Sequence, residues 1–229
     1  EAAGQVIESQ AARLGISCKK IGKNAFENLR IEHKNIAFSC TNAYYGTTAW
    51  KLRNTGLYQA ENAMLALEVM KSLFGETGRP RLWREALAQV VWEGRMEEVL
   101  PGIYIDGAHN LNAVVRFVQS VKARGPHRTA VLFSAVQEKD YEEMTAYLCR
   151  NLETDYYVVT RIEDSRAADT EKLLAAFARY TDRSVAVIES PREALHYVRK
   201  HQDGRTVYCL GSLYLAGMLK ELAQEESLC

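Results

Sequence analysis

The sequence predicts an α/β protein whose second part is built on a mainly parallel sheet. Three observations carry this. Five short runs rich in β-branched and aromatic residues recur between Ile103 and Leu210. Each is followed by a segment with helical spacing of its apolar residues. The runs are also almost continuously hydrophobic, the pattern of strands buried on both faces. Repeated strand–helix units of this length imply right-handed parallel crossovers.

Taken in order, Val6–Leu14 has the spacing of a helix and Asn35–Cys40 reads as a strand, with a further short strand over Trp50–Leu52. A long helix follows Gly56, with Ala60, Ala63, Met64, Leu67 and Met70 on its buried side. The loop Gly75–Pro80, with two glycines and a proline, separates it from a second helix over Leu82–Val91. Strands in this part are too few for a complete sheet of their own. It therefore reads as the truncated remainder of a domain that begins further upstream. The boundary is expected near Trp92–Leu100, giving domains 1–92 and 93–229. In the second domain, strands are expected at Ile103–Asp106, Ala130–Ser134, Tyr156–Thr160, Val185–Ile188 and Thr206–Leu210. The helices expected there are Leu111–Lys122, Tyr141–Asn151, Thr170–Tyr180, Pro191–Lys200 and Leu213–Ala223. Ser190 before Pro191 is a helix cap followed by proline at the first helical position.

Composition narrows the function classes. The 229 residues suit one large domain or two smaller ones. A hydrophobic share of 47% and a charged share of 25% give an ordinary soluble balance. Formal net charge is zero, which disfavours a nucleic-acid partner, and the aromatics lack basic interleaving. No run of about 18 apolar residues is present, so no membrane span is expected. The start, with Glu1 and Glu8, has no signal-peptide pattern. It lacks an initiating Met, so a fragment or processed chain is expected. Cys18, Cys40, Cys149, Cys209 and Cys229 are scattered without zinc-ligand or redox spacing; reduced thiols, a cytoplasmic location and no metal site are expected. There is no Gly-x-x-x-x-Gly-Lys-[Ser/Thr] loop, Gly-x-Gly-x-x-Gly fingerprint or His-Glu-x-x-His pair. The chain thus offers no standard cradle for a triphosphate.

The most informative stretch is Ile103-Tyr104-Ile105-Asp106-Gly107-Ala108-His109-Asn110. A strand ends in a carboxylate, a glycine turn follows, and an imidazole and a cap precede an amphipathic helix. This puts an acid and a histidine at the carboxyl end of a strand and at a helix N-terminus, where open α/β sheets bind ligands. In a parallel sheet the other strand-to-helix loops open on the same edge: Ser134–Asp140, Arg161–Arg166 and Gly211–Tyr214. The collected acid, imidazole, lysine, arginines and hydroxyls suit an anionic or nucleotide substrate, although loops are also polar simply because they are exposed. Each residue has a plain alternative. Asp106 would only cap the next helix, and His109 would be a solvated loop residue. Arg95 would be a surface ion-pair partner, and Asn62 an exposed helix residue. Lys139 and Asp140 would be a loop charge and an N-cap, and Gly211-Ser212 a turn.

Five words in order resemble one family over nearly the whole chain. Gly56-Leu57-Tyr58-Gln59-Ala60-Glu61-Asn62-Ala63 resembles Gly-x-His/Tyr-Gln-x-x-Asn-Ala, and Trp92-Glu93-Gly94-Arg95 resembles Trp-x-Gly-Arg. Asp106-Gly107-Ala108-His109-Asn110 is a signature word, and Lys139-Asp140 and Gly211-Ser212-Leu213-Tyr214 match two later positions. The chain resembles the C-terminal half of the bacterial folylpolyglutamate synthase / dihydrofolate synthase family of Mur ligases. It departs at Leu111, where a proline often stands, which should alter the helix start more than the chemistry.

The resemblance implies a Rossmann-like C-terminal ligase domain after a remnant of a Mur-type central ATPase domain. It implies a ligase that joins L-glutamate to folate or dihydropteroate through an ATP-derived acyl phosphate. By resemblance Asn62 contacts adenine, Arg95 the ATP phosphates and Asp106 the ribose. His109, Ser212 and Tyr214 line the site near glutamate, with His109 orienting or deprotonating the attacking amine. Carboxylates suit ribose hydroxyls and arginine suits phosphate. The family's P-loop and Mg²⁺ ligands lie in a region outside this chain, so an incomplete, inactive piece of a ligase is expected, as a monomer. The alternatives are another Mur-type amino-acid ligase and a non-catalytic nucleotide-binding module. No specific role follows for Lys139, Asp140 or Arg161.

Overall fold

Two sheets divide the apolar residues between separate cores in the computed structural model, which describes residues 2–227. After helix α1 (Ala2–Arg13), strands β1 (Glu27–Glu32), β2 (Asn35–Asn42) and β3 (Gly46–Leu52) form an antiparallel sheet in that order. The β2–β3 turn is closed by the Asn42 side chain, whose Oδ1 accepts the Tyr44 and Tyr45 N–H groups at 3.0 and 2.8 Å. Helix α2 (Gln59–Phe74) lays Ala60, Ala63, Met64 and Leu67 against Ile36, Phe38, Trp50 and Leu52 of the sheet. Helix α3 (Pro80–Leu87) follows.

This part corrects three expectations. Its strands do suffice for a sheet with its own core, because β1 joins the two expected strands. Met70 is half-buried rather than part of the core. The second helix begins at its N-terminal proline and stops at Leu87, leaving Val90, Val91 and Trp92 exposed.

The second sheet comprises β4 (Glu97–Leu100), β5 (Ile103–Ile105), β6 (Thr129–Phe133), β7 (Tyr156–Val159), β8 (Val185–Val187) and β9 (Thr206–Leu210). Its order is β4-β5-β9-β6-β7-β8; β4 is antiparallel to β5 and the other pairs are parallel. The edge strand β4 is an addition to the expected set. Side chains alternate between two cores. Tyr104, Val131, Phe133, Tyr157, Val159 and Tyr208 meet α4 (Leu111–Ala123), α5 (Tyr141–Asn151) and α6 (Thr170–Ala178). Ile103, Ile105, Leu132, Val158, Val207 and Cys209 meet α7 (Pro191–Lys200) and α8 (Leu213–Ser227). Both faces are therefore apolar, which explains why the strands read as continuous hydrophobic runs. Each fully buried large side chain contributes about 1.5–3 kcal/mol.

The winding places the site. From β5, β6 and β7 the chain leaves to the α4–α6 face, and from β8 it returns by α7 on the opposite face to insert β9 between β5 and β6. Loops after β5 and β9 thus leave to opposite faces, the arrangement that opens a crevice at the carboxyl ends of strands. Helix starts are fixed by side-chain caps: Asn110, Asp140 and Ser190 accept the N–H groups of Ala113, Glu143 and Glu193. Helix α4 starts at Leu111 although no proline stands there. The strands end one residue short of Asp106, Ser134, Thr160 and Ile188, so these residues begin the loops.

The two parts of the chain meet along α2 and α4. Ser120 Oγ accepts the Leu57 N–H at 2.9 Å, and Arg116 grips Glu61 through two bonds of 2.6 and 2.9 Å. Lys34 reaches Glu98 at 2.6 Å. These ion pairs are partly solvated, so each contributes less than about 1 kcal/mol. Cys18, Cys40, Cys149 and Cys209 are free thiols, and Cys229 lies outside the described residues. Among the described residues, no helix is long and apolar enough to cross a membrane.

Candidate functional site

The segment 106–110 is stitched to three neighbours by its backbone. Asp106 N–H continues the ladder onto Cys209 O at 2.9 Å, Gly107 N–H donates to Gly94 O at 2.7 Å, and Gly211 N–H donates to Ala108 O at 2.8 Å. Ser134 N–H donates to Leu210 O at 3.2 Å, so the ends of β5, β9 and β6 close on one another. Two glycines make this possible. Gly211 has φ +105°, and a Cβ there would lie 2.0 Å from the Ser134 carbonyl oxygen. A Cβ on Gly107 would lie 2.2 Å from Leu213 Cδ2 and 2.8 Å from Arg95 Nη1. The Arg95 guanidinium therefore lies directly over the Asp106–Ala108 turn.

Asp106 is 2% exposed. Its Oδ1 accepts the Ala108 N–H at 2.8 Å; its Oδ2 accepts the Met96 N–H at 3.0 Å and the Tyr58 hydroxyl at 2.7 Å. Burial pushes the carboxyl above the usual range, against the pull of these three donors and of Arg95. Burial likewise raises the Tyr58 phenol, and the adjacent Asp106 adds to it. Tyr58 reaches the acid because its ring folds back over Gly56, where a Cβ would lie 2.8 Å from the ring. The turn that carries Arg95 is held from two sides. Asn54 Nδ2 donates to Arg95 O at 2.5 Å, while Glu97 accepts the Gly94 N–H at 2.6 Å and is itself held by Lys220 at 2.7 Å.

The raised Asp106 value has a consequence for stability. A folded-state carboxyl raised above its unfolded value contributes fully below about pH 4 and loses that contribution as pH rises through the raised value. Between pH 4 and pH 7 the wild-type chain should therefore lose stability relative to Asp106→Asn, as read by urea unfolding at both pH values. A gap that moves the other way would mean that the three donors outweigh burial.

The remaining predicted residues fall at different distances from this centre. His109 is half-buried, with Nδ1 2.8 Å from Gly107 O. A carbonyl only accepts, so Nδ1 carries the hydrogen and Nε2 presents an open lone pair in the neutral ring. Ser212 is buried and its Oγ accepts the Tyr214 N–H at 3.1 Å. Tyr214 is half exposed, and its hydroxyl accepts a bond from Arg166, whose guanidinium is also held by Asp164. Asn62 is exposed in the first turn of α2, four residues after Tyr58, and donates to Gln59 at 2.7 Å. Asp140 caps α5; Lys139 and Arg161 sit further along the edge, beyond β6 and β7. Arg95 forms no hydrogen bond or ion pair through its side chain among the described residues.

Sequence reasoning missed Tyr58 and the Glu97–Lys220 pair as parts of this edge, and placed Arg166 on it without its bond to Tyr214. For Tyr58 the available signal was a glycine two residues ahead of an aromatic at a helix head. For the Glu97–Lys220 pair there was none, since its partners are 123 residues apart.

Comparison with known proteins fits this geometry. The model of the family described as "Mur ligase, glutamate ligase domain" matches residues 94–213, more than half of the chain. The chain is 28% identical over 174 residues to the dihydrofolate synthase/folylpolyglutamate synthase of Bacillus subtilis, covering 72% of this chain and 39% of that protein. It is 32% identical over 148 residues to the protein of that name from Mycobacterium tuberculosis, covering 61% and 30%. A solved structure of M. tuberculosis folylpolyglutamate synthase complexed with ADP superposes with a TM-score of 0.85 at 26% identity, over 96% of this chain and 52% of that one. The chain thus spans about half the length of that solved relative and about two fifths or less of these curated ones. With the matched segment running from the Arg95 turn through the Asp106–Asn110 loop to the start of α8, the chain belongs to the Mur ligase family of glutamate ligase domains.

Proposed function

We propose that this chain is the glutamate-adding half of an ATP-dependent amide ligase acting on a folate or dihydropteroate carboxylate. One observation carries the reading: an arginine whose side chain makes no hydrogen bond or ion pair among the described residues lies over a glycine, beside a buried carboxylate and a histidine with an open nitrogen, at the carboxyl ends of a parallel sheet. The names of the similar proteins support the substrate class. ATP would convert the carboxylate to an acyl phosphate, and the glutamate amine would displace phosphate. Arg95 offers a planar set of donors to the nucleotide phosphates. Asp106 is assigned to the ribose and Asn62 to the adenine. His109 Nε2 would take the proton of the attacking amine while Gly107 O fixes the ring's tautomer. Ser212 and Tyr214 would line the glutamate side.

Magnesium would accompany the nucleotide. By the family resemblance its protein ligands are expected outside this chain. Residues 1–92 would supply the adenine side and residues 93–229 the glutamate side of a cytoplasmic, monomeric enzyme.

The chain alone should be inactive, because positioning and neutralising a γ-phosphate requires a phosphate loop and metal that it does not supply. The test is ATP-dependent glutamate ligation by the purified chain and by a longer protein that contains it together with such a loop. Turnover by the longer protein alone is the expected result. Turnover by the chain alone contradicts the division of labour. A longer protein that ignores both pteridine substrates but extends another carboxylate belongs to a different branch of Mur-type ligases.

A further inference from the structure

We propose that the Tyr58 hydroxyl is a stand-in for a ribose hydroxyl: in the free chain it occupies the oxygen of Asp106 that a bound nucleotide would use, and it has to leave before the sugar can enter. This rests on the assignment of Asp106 to the ribose given above. Asp106 Oδ1 is taken up within its own loop, by Ala108 N–H at 2.8 Å. Oδ2 serves the Met96 N–H at 3.0 Å and the Tyr58 hydroxyl at 2.7 Å. Two of the three donors are backbone groups of the 94–108 segment, fixed by the Gly107–Gly94 bond. The third is a side chain from the other part of the chain, 48 residues away in sequence.

The burial pattern points the same way. The acid is 2% exposed, whereas Tyr58 is half-buried, so the tyrosine is the less enclosed of the two. Each carboxylate oxygen has about two accepting positions, and both on Oδ2 are filled, so a further donor to that oxygen needs one of them freed. A phenol and a sugar hydroxyl are the same kind of donor, so the exchange replaces one O–H bond to the carboxylate with another. Tyr58 also stands in the segment between β3 and α2, one residue before the helix, where a change of ring position disturbs no ladder bond. Its departure would break a direct tie between the two parts of the chain, linking nucleotide entry to their mutual hold.

The test compares ADP with 2′,3′-dideoxy-ADP, titrated calorimetrically into the 229-residue chain and its Tyr58→Phe variant. The variant keeps the ring and removes only the competing donor. It should bind ADP about tenfold tighter than the wild type, the size of one bond to a charged group. Its affinity for the dideoxy nucleotide should change less than about twofold, which is within the scatter of such a comparison. Equal tightening for both nucleotides overturns the proposal, because the phenol would then obstruct something other than the sugar. An ADP preference that is the same in both chains also overturns it, while leaving the Asp106 assignment standing. If neither chain distinguishes the nucleotides, or neither binds them, that assignment fails and the proposal fails with it. A second measurement needs no variant: ADP, and not the dideoxy compound, should shift the Tyr58 ring signals in the NMR spectrum of the wild-type chain, and unmoved signals on saturation with ADP overturn the proposal.

Discussion

Gly211→Ala should destabilise the chain by about 2–6 kcal/mol, from backbone strain of about 1–3 kcal/mol and overpacking of about 1–3 kcal/mol. The residue's φ of +105° is one that a side chain resists, and the new methyl would sit 2.0 Å from a backbone oxygen, Ser134 O, that is itself held in the loop after β6. That oxygen cannot swing away as a flexible side chain would, and the Phe133 ring, 2.7 Å from the same point, is fully buried. Gly204→Ala is the informative control. It also has positive φ, +73°, but nothing lies within 4 Å of the added carbon. It should cost only the left-handed penalty of about 1–2 kcal/mol. Urea unfolding of the two variants separates the terms. Equal losses would show that the contact at Gly211 relaxes, and that the three strand ends are less tightly closed than their bonds indicate.

His109→Ala, placed in a ligase completed by its phosphate-binding half, should lower turnover by about 10²–10⁴-fold, the range of a lost general base. Nucleotide affinity should be nearly unchanged, because the ring is oriented by Gly107 O and contributes no donor toward Arg95 or Asp106. Stability should also hold: the ring is half-buried and makes one neutral hydrogen bond, worth about 1 kcal/mol. Single-turnover kinetics on preformed acyl phosphate would isolate the amine step. Full turnover in a variant that melts early would mark His109 as a structural residue.

The parallel core was legible because both faces of the second sheet are covered. A strand flanked by helices on two sides leaves no place for polar residues, so β5, β6, β7 and β9 announce themselves. Strands β1 and β4 do not. Glu27-Asn28-Leu29-Arg30-Ile31-Glu32 and Glu97-Glu98-Val99-Leu100 keep most of their side chains at least partly solvated. Both lie at sheet edges, where charge discourages pairing with other chains. Missing β1 made the first part look like a fragment without a sheet. At the site, Asp106, Arg95 and His109 could be located because a strand end, a glycine turn and a helix cap are local patterns. The Asp106–Tyr58 bond was not legible. It depends on how two separately folded parts meet, and no local spacing encodes that.

The insertion of β9 between β5 and β6 sets an order on assembly. Ile105 and Cys209 are neighbours in the sheet although about a hundred residues separate them. Until Thr206–Leu210 has been synthesised, β5 and β6 have no common partner, and Ala108 O and Ser134 N–H lack theirs in this strand and its following glycine. Closing so long a loop is entropically costly and slow relative to local hairpins and helices. The small antiparallel sheet and α2 can form while the ribosome is still translating the rest, since their contacts are near in sequence. The crevice cannot. It comes into existence only after almost the whole chain has left the exit tunnel, so a nascent chain stalled before Thr206 would present α4, α5 and α6 on an open sheet edge with no ligase site at all.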